Sequence, residues 1–152
     1  MEFLQFLDKT EVEIIKMVEK AGYKTVENTK QCLISENYAG FLNRKNKEII
    51  ICTNNAKKKE GYKFIRQKDN DIFERTAINI KRAVRHEAVH VAQECNGGKS
   101  LKIDRKLSMN LSKINAFKGS IRISGELEKE REAYILEDKP KLIKSELKKY
   151  CL

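Results

Sequence analysis

The longest helical pattern in the chain falls between Asp71 and Cys95, and it constrains the fold more than any other feature. Advancing about 100° per residue, Phe73, Ala77, Ile80, Val84, Ala88, Val91 and Cys95 lie within about 40° of one line. The stripe runs for about six turns and needs a partner surface along its whole length. The "NGG" that follows Cys95 supplies the stop, because glycine ends a helix in the left-handed conformation at no steric cost. A chain of 152 residues is the size of one ordinary domain, so this helix is expected to be its spine.

The other elements are shorter. "DKTEVEIIKMVEKA", residues 8–21, reads as a helix capped by Asp8 or Thr10, with Val12, Ile15, Val18 and Ala21 on one side and Gly22 as its stop. "TVEN" and "QCLISENYAGFL" read as extended. "KEIIICTNN" is the clearest strand, a β-branched run closed by two asparagines, and with "YAGFL" before it and "NRKNK" as the turn it predicts a hairpin. Residues 55–70 read as a basic, polar connection, and residues 99–124 as loop mixed with short helix. Two helices, about 125–137 and 140–150, finish the chain, the second opening on Pro140, where a missing N–H costs nothing. The expected class is α+β: a small antiparallel sheet or hairpin packed on the long helix, with C-terminal helices, in one domain spanning 1–152.

Composition narrows the setting. With 32 Lys plus Arg against 22 Asp plus Glu, the net charge is +10. Such a surface attracts phosphate backbones, acidic proteins or anionic membranes non-specifically, but no recognised nucleic-acid-binding motif accompanies it. The start, "MEFLQFLDKTEVEIIK", carries acidic residues where a secretory signal needs a basic and then apolar run. No apolar stretch approaches the roughly 18 residues that cross a membrane. A soluble cytosolic protein with no membrane partner is expected, its oligomeric state unspecified. Cys32, Cys52, Cys95 and Cys151 form no C-x-x-C pair, which argues against a cysteine zinc cluster or a dithiol redox motif. In a reducing cytosol most are expected to be buried thiols. Cys95 and Cys151 both end predicted helices, so a disulfide between them is an open alternative.

Both histidines of the chain fall on the long helix, in "HEAVH": His86, Glu87, His90. They lie roughly 120° to 160° from the apolar stripe and so share one face, one turn apart, directed away from the main core. Two neutral imidazoles at this spacing can bind one Zn²⁺ at about 2.0–2.1 Å. Glu87, beside the first, can reach a water on the metal, take its proton as a carbonyl is attacked and deliver it to the leaving amine. The competing reading is a polar helix face that happens to carry two histidines.

Zinc needs a third protein ligand. The longer pattern with a later glycine and third histidine fails, with Gln93 and Asn96 at those positions, so a carboxylate or a thiolate must serve. The best source is "GELEKEREAYILED", residues 125–138. Here the sequence resembles the gluzincin metallopeptidases, the thermolysin-like clan, whose second helix supplies a glutamate, often as E-x-x-A followed by a polar or aromatic residue. "EREAY" matches from Glu130 to Tyr134. The resemblance covers about half the chain, from Lys47 to about Asp138. It implies Glu130 as third zinc ligand, with Ala133 small enough for the two helices to approach closely. It also implies a peptide or protein substrate, paired to an edge strand beside the metal helix, with "EIIICT" or its hairpin partner as that strand. The clan often adds a histidine or tyrosine that stabilises the oxyanion; with no histidine left, Tyr134, another tyrosine or an arginine would serve.

The angular pattern of the second helix puts Glu130 on the face of Leu127, Ala133 and Tyr134, and Glu128 and Glu132 on the opposite one. Glu126 and Glu137 share Glu130's side and stay open as ligands. A solvated acidic helix is the alternative. The expected function is thus that of a zinc-dependent metallopeptidase, catalysis assigned to Glu87 and Tyr134 and metal binding to His86, His90 and Glu130. The alternative is a non-catalytic relative that binds a partner, nucleic acid included, through its basic surface. In a domain this small, little room is expected for a deep specificity pocket.

Overall fold

The computed structural model describes residues 1–58, 72–104 and 106–152. In chain order these form α1 (Lys9–Lys20), β1 (Lys24–Glu27), β2 (Gly40–Asn43), β3 (Glu48–Ile51), α2 (Thr53–Lys58), α3 (Ile72–Cys95), α4 (Ile114–Ser124), α5 (Leu127–Leu136) and α6 (Pro140–Cys151). Short 3-10 turns occupy Glu2–Phe6, Lys30–Leu33 and Leu111–Lys113. The class is α+β, as the alternation of helical and β-branched patterns predicts.

The isoleucine run forms the middle strand. The sheet order is β1-β3-β2, with β1 parallel and β2 antiparallel to β3. The hairpin forms as expected, with Asn43 opposite Glu48 and Gly40 opposite Ile51. Being central explains the unbroken apolar run: Ile49 and Ile51 enter the main core, while Ile50 joins Cys32 and Cys52 on the other face. "QCLISENYAGFL" is extended only from Gly40; its start is the turn Lys30–Leu33. The connection read at 55–70 begins as helix, since α2 spans Thr53–Lys58. Its remainder, and Asp71, lie outside the described residues.

α3 is the spine. α1, α2, α5, α6, β2 and β3 all pack on it, and Ile80, Val84, Ala88 and Val91 of its stripe are buried. Ile80, Val84 and Val91 each contribute roughly 1.5–3 kcal/mol on leaving water. Phe73, nearer the helix start, is half exposed and stacks on Phe6 at 4.8 Å between ring centroids. In α1, Ile14 rather than Val12 faces the core, together with Ile15 and Val18.

The buried thiols expected of a reducing cytosol are not found, whereas the Cys95–Cys151 disulfide left open as the alternative is present. Cys32 is bonded to Cys52, and Cys95 to Cys151. The first bridge fastens the turn before β2 to the end of β3; the second ties the last residue of α3 to the last residue of α6. None of the four is a free thiol.

Candidate metal centre

α3 presents His86, Glu87 and His90, and α5 presents Glu130; all four are buried. The expected outward-facing histidines are enclosed because α5 packs on their side of α3, so the spine is covered on more than its apolar stripe. Ala133, fully buried, leaves the room for that approach.

The Nε2 atoms of His86 and His90 lie 3.3 and 3.2 Å from the two oxygens of Glu130. One ligand atom from each of the three residues falls within 4.8 Å of the others, forming a potential metal site. A tetrahedral zinc site with bonds of 2.0–2.1 Å places its donors about 3.3 Å apart. The donor types suit zinc, and the two imidazole–carboxylate separations are of the size such a site uses.

The other nitrogen of each ring is fixed by its own partner. His86 Nδ1 donates to Glu137 Oε2 at 3.0 Å. His90 Nδ1 meets Gln93 Oε1 at 2.8 Å. The amide's orientation follows from its other end, where Nε2 donates to the Lys129 carbonyl at 3.0 Å and to Glu132 Oε1 at 2.9 Å, both acceptors. Both imidazoles thus donate from Nδ1, which turns Nε2 toward Glu130 and leaves Nε2 as the nitrogen a metal would take.

Electrostatics agree with the geometry. Burial works to discharge His86, but its hydrogen bonds to Glu130 and Glu137 outweigh it and push the imidazole up to about 10. Glu130 is held far below the ordinary carboxylate range, the two histidines overcoming the effect of its burial. Without metal, a shared proton holds His86 to Glu130; a cation would replace it. Burial pushes Glu87 above its ordinary value against the pull of the two imidazoles.

Glu87 lies against β2. A Cβ at Gly40 would sit 3.2 Å from Glu87 Cγ and from Ala83 Cβ, so only glycine lets the strand pass this close. Because β3 is central, the strand beside the metal helix with an edge unpaired among the described residues is β2, the hairpin partner. A cleft of about 950 Å³ opens here, lined among others by Tyr38, Gly40, His86, Glu87, Glu130 and Tyr134. The chain has more room than its size suggests, because β2 and α4 stand on either side of the histidines.

The remaining expected residues separate. Glu126 sits at the N-cap of α5 and pairs with Arg44 and Lys129. Glu137 reaches His86 through Nδ1, so it orients the ring. Glu132, placed by its angle on the face opposite Glu130, is buried with four donors around it. The Tyr134 hydroxyl meets Ser120 Oγ at 2.6 Å, and its ring lies edge-on to His86 at 4.5 Å. Sequence reasoning passed over Gln93, Glu132 and Lys113, which reaches Glu137 Oε1 at 3.2 Å. One signal was present: a glutamine three residues after a ligand histidine on a helix lies within its reach.

A family model described as a domain of unknown function, DUF8637, matches residues 3–152. The chain belongs to that family. No curated protein and no solved structure matches it. The DUF8637 match takes in all three donors, Glu87 and both disulfides, so centre and scaffold belong to one family unit.

Proposed function

We propose that this domain is a zinc-dependent metallopeptidase that holds its metal through His86, His90 and Glu130 and uses Glu87 as general base. The observation that carries the reading is the meeting of both Nε2 atoms with one carboxylate at 3.2–3.3 Å, each ring anchored at Nδ1. A zinc ion held there would polarise a substrate carbonyl and acidify water, as a Lewis acid does. Glu87 takes a proton from the attacking water and returns it to the leaving nitrogen; its raised affinity for protons suits both halves of that task. The edge of β2 that is unpaired among the described residues belongs to the strand packed beside Glu87 and offers main-chain partners to an extended peptide. Tyr134, Ser120 and Tyr38 line the same cleft and supply hydroxyls for a developing oxyanion.

The setting is part of the proposal. No helix among the described residues is long and apolar enough to cross a membrane. The cytosol expected from the N-terminal sequence is reducing, whereas two disulfides persist best in an oxidising compartment, and we favour the latter.

Elemental analysis of the purified protein tests the centre: about one zinc per chain is expected, lost in His90→Ala. Glu87→Gln should keep the metal and lose hydrolysis of a peptide library. A chain that purifies without zinc and takes none up on dialysis would sink the reading.

A further inference from the structure

Glu132 lies two residues beyond Glu130 on α5, on the opposite side of the helix. It is 2% exposed and surrounded by donors. Its Oε1 accepts from Gln93 Nε2 at 2.9 Å and from the Leu101 N–H at 2.9 Å; its Oε2 accepts from Ser100 Oγ at 2.7 Å and from the Lys102 N–H at 3.0 Å. Four donors occupy the roughly four lone-pair positions of one carboxylate. One of those donors belongs to the amide that holds His90.

A lone glutamine beside an imidazole is ambiguous. Rotated by half a turn about its last torsion, it presents NH₂ instead of oxygen to the ring. In that flipped state Nδ1 would have to accept, the ring proton would move to Nε2, and Nε2 would lose the lone pair a metal needs. Glu132 and the Lys129 carbonyl exclude the flip, because it would set the amide oxygen against two acceptors in a buried site. Leaving such groups without a donor carries their full desolvation penalty.

We infer that Glu132, acting through the Gln93 side chain, is a positioning residue that fixes the tautomer of His90 and the aim of its Nε2. The inference rests on the metal-centre reading above. α5 then serves both sides of the centre, supplying the third donor from Glu130 and, two residues on, the anchor for the second. The chain reversal after α3 shares this anchor, since Leu101 and Lys102 hang from the same carboxylate. Lys102 adopts a left-handed backbone there, with φ of 56°.

A purely structural latch is the competing account, and cobalt(II) titration of three variants separates the two. Gln93→Leu and Glu132→Gln should each weaken Co²⁺ binding by about 10- to 100-fold, the usual effect of losing an orienting partner, and should alter its visible d–d bands. Ser100→Ala removes a loop contact and leaves the carboxylate–amide contact in place; affinity and spectrum should match the parent. Parent-like cobalt binding in folded Gln93→Leu and Glu132→Gln, or equal damage from all three changes, overturns the inference. In metal-free protein, the proton on His90 Nδ1 should give a slowly exchanging NMR signal that Gln93→Leu abolishes and Ser100→Ala preserves. If the parent takes up no cobalt, the metal reading fails, and this signal alone decides: its survival in Gln93→Leu rejects the relay.

Discussion

Glu137 receives the Nδ1 proton of His86 on one oxygen, at 3.0 Å, and turns its other oxygen to the buried Lys113 Nζ at 3.2 Å. A cation in the wall of the site thus fixes a carboxylate that fixes a ligand. Glu137→Gln should weaken zinc binding about 10- to 100-fold, measured by competition with a chromophoric chelator. An unchanged affinity would mean that His86 is aimed by packing alone, for instance by the Tyr134 ring.

Zinc uptake should release a proton and strengthen as pH rises. In the metal-free site His86 is pushed up to about 10 from an ordinary 6.5, so at neutral pH it is protonated and must lose that proton to bind metal. The proton is lost progressively as pH climbs toward about 10, and affinity should rise over that window. The same shift makes the metal-free fold depend on pH in the opposite sense. A raised value contributes stability that is complete below about 6.5 and is lost as pH rises through about 10. Calorimetric titrations in buffers of different ionisation enthalpy count the protons released.

Gly40→Ala should cost about 1–3 kcal/mol of stability, as overpacked positions do. The new methyl would meet Ala83 Cβ and Glu87 Cγ at 3.2 Å, and one of the two elements must give way. Denaturant unfolding reads the stability. Zinc stoichiometry should hold while hydrolysis falls, since the displaced side chain is Glu87 and not a ligand.

Replacing Cys95 and Cys151 together with serine should lower stability by about 2–4 kcal/mol, the usual return of a bridge closing a long loop. The bridge spans 56 residues and joins the ends of α3 and α6. Zinc content should not change, because neither sulfur belongs to the donor cluster. Thermal melts with and without a reductant, compared with those of the double variant, provide the check.

The spine, the hairpin and the final two helices were legible because each has a strong period or a stop: the stripe and "NGG" for α3, the isoleucines for β3, Pro140 for α6. The meeting of His86, His90 and Glu130 was legible for a related reason, since helical spacing fixes which side chains share a face. Burial was not legible. Angle along one helix says where a side chain points and nothing of what lies there, so the reading that turned His86 and His90 away from the main core, and Glu132 away from Glu130, could not show that neighbouring elements cover all three. Glu126 and Glu137 could not be separated from Glu130 by angle; Arg44 and Lys129 hold one and His86 claims the other. The helix ends raised the Cys95–Cys151 bridge only as an alternative, and the Cys32–Cys52 bridge depends on a contact that no local pattern encodes.

Of α4, only Ser120 is buried, and the helix packs chiefly on α5. Gly119 and Ser120 nevertheless line the cleft opposite β2. The floor is a set of rings and carboxylates interlocked by hydrogen bonds, whereas this wall meets it mainly through Ser120 and Tyr134 and carries none of the three clustered side chains. Tolerance for different substrate side chains would then be a property of α4, and could change through substitutions there while the chemistry at α3 stayed the same.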